Sequence, residues 1–247
     1  MRREPTARQL RLATELRRLR EAAGLTSREA ASLLGVSPAQ ITHIESALAG
    51  VSEQRLRRLA SHYACTDEEF VDALAAMATD RTRGWWEQYR GLLQTEDYSR
   101  AVFSARLPEL TREEVELRIQ HRKARQQFTV PYEAVIHEAA LRIRVGDRAV
   151  SRAQLNRLAE LSEADHITVR VIPFDLDGFA SAASTMTFVG GPVPRLDTVV
   201  RDALHGSAFI DSEAQLNTYR TGFRKVEGAS LEPVASREFI HNLAKEL

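Results

Sequence analysis

Residues Thr26 to Glu45 read TSREAASLLGVSPAQITHIE, and this stretch decides the fold of the front of the chain. From Ser27 to Leu34, Ala30 and Leu33 or Leu34 recur at the three- and four-residue spacing that lines one face of a helix. Gly35 accepts the positive φ of a tight helix end, and Val36 turns into the corner behind it. Ser37-Pro38 then restarts a helix. The serine oxygen takes up a free backbone N–H, and proline at the first helical position gives up no hydrogen bond. A second helix is expected from Pro38 to about Ser46, with Ile41 and Ile44 inward and Ala39, Gln40, Thr42 and His43 outward.

Two short helices around a glycine corner make a helix-turn-helix. The major groove of B-form DNA admits a single α-helix, and each base pair presents a distinct pattern of donors and acceptors there. Ala39, Gln40, Thr42 and His43 are therefore the candidates for base contact. Ser27, Arg28 and Ser37 complete the candidate DNA surface, with Arg28 better placed for phosphate. An ordinary turn between two core helices carries the same Gly and Ser-Pro signals. The neighbouring residues argue against that reading.

Arg17 to Leu25, Thr26, Ala30, Leu34 to Ser37 and Ile44-Glu45 together resemble the λ-repressor-like, or XRE, family of DNA-binding regulators. That resemblance implies an ion pair between Arg20 and Glu45. Ala39 and Gln40 stand where relatives often carry more basic residues, which implies modest affinity.

Composition narrows the class further. A chain of 247 residues can bury one large core or two small ones. The single cysteine, Cys65, excludes an intrachain disulfide, and no stretch reaches the length of a membrane span or a signal-type apolar block, so a cytoplasmic location with no membrane is expected. Net charge is zero but unevenly placed. Residues 1–28 hold eight Arg against three acids, whereas residues 29–80 hold three Arg against eight acids, so the positive charge lies at the front. Arg2 and Arg3 form a short basic arm and join the candidate DNA contacts.

Thr6 and Gln9 read as a capping box for a first helix with Leu12, Leu16 and Leu19 inward, closed by Gly24. Its Arg17 and Arg18 suit either a solvated face or phosphate contact. A fourth helix follows Ser52 with Leu56 and Leu59 inward, and a fifth is expected from a Thr66–Glu69 capping box, with Phe70, Leu74 and Met77 completing the core. Residues 1–80 are thus an all-α five-helix domain. Residues 81–90 read as a linker or hinge, where Trp85, Trp86 and Tyr89 form a ligand or interface cluster or simply pack between domains.

Beyond residue 91 the pattern changes. Helices are expected after Thr95, after the Thr111–Glu114 capping box, and over Ser151–Ser162, Ser212–Val226 and Pro233–Leu247. Glu133–His137, Ile167–Ile172, Thr185–Val189 and Thr198–Arg201 read as strands of a small sheet. The fold class is α+β. The segments GLLQTEDYSRAVF, IHEAALR, ITVRVIPF and LEPVASREFIHNLAKEL look like the C-terminal domain of WhiJ-like actinomycete regulators, described as antitoxin-like. This resemblance implies a transcription regulator, often encoded beside a small acidic partner protein. Relatives carry roughly thirty more residues before GLLQT, a length that rarely vanishes from a packed domain. Arg90 here meets Gly91 directly, and the intact flanks favour a segment closed over at this join.

Enzymatic readings find little support. His137-Glu138 begins like a zinc-binding HExxH, but Leu141 stands at its fifth position. Asp202 and His205 suit a surface ion pair better than an acid–base pair. No enzyme activity, cofactor or metal is expected. The function expected is sequence-specific DNA binding by a transcription regulator, set through residues 91–247 by a small protein partner or ligand. The alternative is an antitoxin-like protein that neutralises a small partner, with DNA binding secondary. One helix reads only about four base pairs, so a homodimer with two readers about 34 Å apart is expected on double-stranded DNA.

Overall fold

The computed structural model describes residues 7–79, 91–105, 109–177, 185–191, 193–203 and 206–247. Arg2, Arg3, Thr6, Trp85, Trp86, Tyr89 and His205 lie outside them. Helices α1 Ala7–Ala22, α2 Ser27–Leu34, α3 Pro38–Glu45, α4 Glu53–His62 and α5 Glu68–Thr79 come first. Then follow α6 Glu96–Ser104, α7 Arg112–Arg125, β1 Tyr132–His137, α8 Glu138–Arg142, α9 Arg148–Leu161 and β2 Ile167–Ile172. Strands β3 Met186–Val189, β4 Thr198–Ala203 and β5 Gly206–Ile210 precede the last two helices, α10 Glu213–Ala229 and α11 Pro233–Lys245. The fold is α+β. No described helix is long and apolar enough to cross a membrane.

By its contacts the chain divides into two compact units, Met1–Glu87 with Thr185–Leu216, and Gln88–Ser184 with Asn217–Leu247. The first unit packs α1 to α5 around Leu16, Ile41, Leu56, Leu59, Phe70 and Leu74, each at most 2 % exposed. Leu34, not Leu33, supplies the inward leucine of α2, and Leu33 is 44 % exposed. The fifth helix starts later than its sequence suggests. Asp67 takes the capping role, its Oδ1 accepting from the Phe70 N–H at 3.0 Å. A short acceptor one residue nearer the apolar run outcompetes Thr66.

Strands β3, β4 and β5 form an antiparallel meander in that order, with Val199 opposite Phe188 and Ile210. The turn before β4 carries Val193 and Leu196 onto the α1–α5 core. The sequence reading assigned these residues to the C-terminal domain, while the contacts group them with the helices that begin the chain. The single small sheet expected resolves into two among the described residues, β1 with β2 and β3 with β4 and β5. The Gly-Ser-Ala start of β5 lacks the β-branched signal by which its neighbours are recognised.

In the second unit β1 and β2 pair in parallel, from Tyr132 opposite Ile167 to His137 opposite Ile172. Parallel strands need a crossover, and α8 and α9 provide it. Leu155 and Leu158 of α9 and Ile240 and Leu243 of α11 share one core with Val169 and Val171 of β2. Buried Ser236 ties α11 to the strand, its hydroxyl accepting from the Val171 N–H at 2.9 Å and donating to the Leu231 carbonyl at 3.0 Å.

Arg90 is followed directly by Gly91 in the full sequence, so the reading of a segment closed over at this join is set aside. Gly91 has φ +64°, and a Cβ there would sit 2.6 Å from the buried Arg122 guanidinium. Arg122 Nη1 donates to Gln94 Oε1 at 2.5 Å and Ser99 Oγ at 3.2 Å, with the guanidinium 4.4 Å from the centre of the Phe103 ring. Gln126 donates to the Gln94 carbonyl at 2.5 Å. The start of this unit is therefore held by α7.

Candidate nucleic-acid interface

The two helices of the motif begin with matching devices. Thr26 Oγ1 accepts from the Glu29 N–H at 3.2 Å while Glu29 Oε2 accepts from the Thr26 N–H at 2.7 Å. At α3, Ser37 Oγ accepts from the Gln40 N–H, and Gln40 Oε1 from the Ser37 N–H, both at 3.3 Å. The Thr26 bonds hold the Glu29 carboxyl below its ordinary pKa. Between the helices Gly35 sits at φ +73°, which lets its N–H and that of Val36 reach back to the last carbonyls of α2.

The motif is fastened from behind by one arginine. Arg20 on α1 donates from Nε to Glu45 Oε1 at 2.7 Å, from Nη2 to Glu45 Oε2 at 2.8 Å, and from Nη1 to the Leu25 carbonyl at 2.7 Å. A fork-to-fork pair of this kind fixes direction as well as distance. It joins the end of α3 and the entry to α2 to the same point on α1. The Glu45 hydrogen bond raises the Arg20 pKa, against the opposing effect of burial. Tyr63 is buried nearby, and its phenol is pushed up to about 12, first by burial and then by the Glu45 charge.

Ile41 and Ile44 are buried at 1 % and 4 % exposure, which turns the other face of α3 to solvent. Ala39, Gln40, Thr42 and His43 are all exposed on it. Their freedom differs. The Gln40 carboxamide oxygen is engaged at the cap, while the Thr42 hydroxyl donates to the Pro38 carbonyl at 3.2 Å. His43 closes the helix with its backbone, its carbonyl accepting from Leu48 and Ala49, and Ala47 at φ 56° makes that closure. Arg28 and Ser37 are exposed and Ser27 is half-buried at the first turn of α2.

The arginines of the helical unit sort by their partners. Arg17 is held by Glu21 at 2.8 Å, and Arg57 by Glu53 at 3.0 Å and Asp72 at 2.7 Å. Arg28, Arg55 and Arg58 are exposed and have no acid partner among the described residues. Arg55 and Arg58 were not singled out from the sequence. Counting each arginine against carboxylates three and four residues away would have exempted Arg57 through Glu53 and left these two. Both lie on α4, which opens with the Ser52 cap shortly after α3 ends.

Elsewhere, the His137-Glu138 pair does structural work. His137 Nδ1 accepts from the Ala139 N–H at 3.1 Å, capping α8. Burial would raise the Glu138 pKa, but the Phe174 N–H at 2.7 Å and Arg142 at 2.5 Å hold it below the usual carboxylate value. Among the described residues, no group of three His, Cys, Asp or Glu converges as metal ligands would.

The helix-turn-helix domain model matches residues 11–74. A model described as a domain of unknown function, DUF5753, matches residues 87–242, through the Arg90–Gly91 join. No curated protein and no solved structure matches the chain. With a family match over more than half its length and this motif before it, the chain belongs to the DUF5753 family and carries at its front the helix-turn-helix of a DNA-binding regulator.

Proposed function

We propose that this protein is a sequence-specific transcription regulator of the XRE type, with a WhiJ-like second part, that reads the major groove with Gln40 and His43. The observation carrying this reading is α3 itself. It is clamped through Arg20–Glu45 and presents Ala39, Gln40, Thr42 and His43 to solvent, with short polar side chains that fit between the groove walls. Arg28, Arg55 and Arg58 are cations with no acid partner among the described residues and serve as phosphate contacts that set register. Neither a catalytic role nor a cofactor is part of this reading.

Control through the second part, by a small protein partner or ligand, belongs to the same proposal and is supported by the family resemblance. So does a homodimer, because one helix spans too few base pairs for a useful site. Genome-wide DNA capture with purified wild-type protein tests the core of the reading. Discrete enriched sequences are expected, changed in Gln40→Ala and His43→Ala, with light scattering reporting a dimer on the captured duplex. Capture without enrichment, or identical preferences in both variants, would remove the assignment of this face.

A further inference from the structure

We propose that Val193–Leu196 and Asp211, the residues flanking strands β4 and β5, form a releasable clamp on α1, held by a buried charge cluster, and that its docked state is the one competent to read DNA. The inference rests on the DNA-reading function proposed above. Helix α1 carries two stripes. Leu12, Leu16 and Leu19 enter the helical core, while Arg11, Glu15 and Arg18, at four- and three-residue spacing, form a second, charged stripe. The turn before β4 and the residue after β5 cover that second stripe.

Arg11 and Glu15 are only 4 % and 1 % exposed, and much of this burial comes with partners from the segment. Arg11 donates to the Arg195 carbonyl at 2.6 Å and the Asp211 carbonyl at 3.2 Å, and pairs with the Asp211 carboxylate at 3.0 Å. Glu15 pairs with Arg11 at 3.2 Å and Arg18 at 2.5 Å, and Arg18 reaches Asp211 at 3.3 Å. Arg195 lies 4.0 Å from Glu15 Oε2, with its guanidinium 4.2 Å from the centre of the Phe70 ring on α5.

Such a contact differs from a hydrophobic core in what happens on opening. Val193 and Leu196 supply an apolar part of the attachment, but Arg11, Glu15 and Arg18 hydrate when exposed, which lowers the cost of opening below that of an all-apolar contact. The docked state is also incompletely satisfied. Glu15 Oε2 and Arg11 Nε are buried with no hydrogen-bond partner among the described residues, which brings the two states closer in energy.

The cluster also stands between two mechanical connections. Helix α10 starts at Glu213, two residues after Asp211, and from Asn217 onward it belongs to the second unit. Arg20, two residues after Arg18 on α1, holds the end of the reading helix through Glu45. Loss of Asp211 leaves α1 in its apolar core through Leu12, Leu16 and Leu19 but removes the charge that holds Arg18, and so loosens the aim of Arg20 on Glu45.

Asp211→Asn in the full chain tests this, with Asp211→Asn/Arg195→Ala as a stronger opening. Hydrogen exchange is expected to quicken at residues 195–203 and stay unchanged at Leu16 and Ile41, while affinity for the captured duplex falls about five-fold or more at unaltered sequence preference. Asp211→Glu should restore both. Linkage is reciprocal, so duplex DNA should slow exchange at residues 195–203 of the wild-type protein. The proposal fails if neither variant opens the segment, if opening leaves affinity unchanged or tightens it, or if DNA leaves that exchange unaltered. Wild-type protein that binds no duplex would instead sink the DNA reading itself, and this inference with it.

Discussion

Arg20 and Glu45 meet in a two-pronged ion pair, 2.7 and 2.8 Å along its arms, that joins α1 to the end of α3. Both side chains are at most 10 % exposed, so removing one partner strands a buried charge. Glu45→Gln or Arg20→Ala should destabilise the first unit by about 3 kcal/mol, and the double replacement Arg20→Ala/Glu45→Gln by distinctly less than the sum. Urea unfolding of the four proteins checks this. Strict additivity would mean that the pair is not coupled.

Gln40 has two duties that one substitution separates. At the third position of α3 a glutamate can close the capping box as well as a glutamine does. Gln40→Glu should therefore keep the helix, judged by circular dichroism, while losing the adenine-type contact and repelling phosphate. Its discrimination should fall by about 1–3 kcal/mol at the contacted base. Retained affinity and preference would show that Gln40 does not face the bases.

Counterion release gives the phosphate contacts a signature of their own. Arg28→Ala and Arg55→Ala should each lower the slope of log affinity against log salt by about one, across all sequences alike. Arg17→Ala should do less, since Glu21 already neutralises that side chain at 2.8 Å. Equal slopes for wild type and all three variants would contradict the partition of arginines drawn from the ion pairs.

Two glycines with positive φ should respond unequally to alanine. Gly35, at φ +73°, has nothing within 4 Å of a new Cβ, so the left-handed backbone alone sets a cost of about 1–2 kcal/mol. Gly91, at φ +64°, would bring its Cβ within 2.6 Å of Arg122. That guanidinium is fixed by Gln94, Ser99 and Phe103 and cannot simply swing aside. Denaturation with peptide-resolved hydrogen exchange should find the larger loss in Gly91→Ala, confined to residues beyond 91. A larger loss in Gly35→Ala would reverse the argument.

Alkali should weaken the first unit through Tyr63. Its phenol titrates near 10 when unfolded and near 12 when folded, so the neutral form is favoured by the native state. Stability from this group is complete below about pH 10 and is lost as pH rises toward 12. Tyr63→Phe should flatten that limb in melts between pH 9 and 11.5, leaving the part due to Tyr98 and Tyr132, which burial also raises. An unchanged limb would mean that Tyr63 is not the group responsible.

The reading motif was legible because its determinants are local. Thr26, Gly35, Ser37-Pro38 and the spacing of Ile41 and Ile44 each act within one helical turn, so their order along the chain states the geometry. The outward row Ala39, Gln40, Thr42 and His43 follows from that spacing without any knowledge of what lies behind. Most helix and strand ranges were legible for the same reason, and Ile167–Ile172 was read to the residue. The start of α5 was missed by one residue because Thr66 and Asp67 are both good caps, and the winner depends on how the first turn meets the core.

Other features depend on which distant residues meet. Nothing in the sequence around Asp211 or Arg195 tells that they close over Arg11 and Glu15, since long-range ion pairs have no period. Nor does strand propensity state partners: β1 and β2 pair in parallel within one unit, while β3, β4 and β5 pair with each other in the other. The sequence by itself determined the helix-turn-helix, its exposed row and the α+β class, because caps, turns and hydrophobic periodicity act between near neighbours. Only the tertiary structure decided that α1 bears two occupied stripes, that Arg57 is paired while Arg55 and Arg58 have no acid partner among the described residues, and that residues 185–216 group with α1 to α5, because burial and ion pairing are settled where segments far apart in the chain meet.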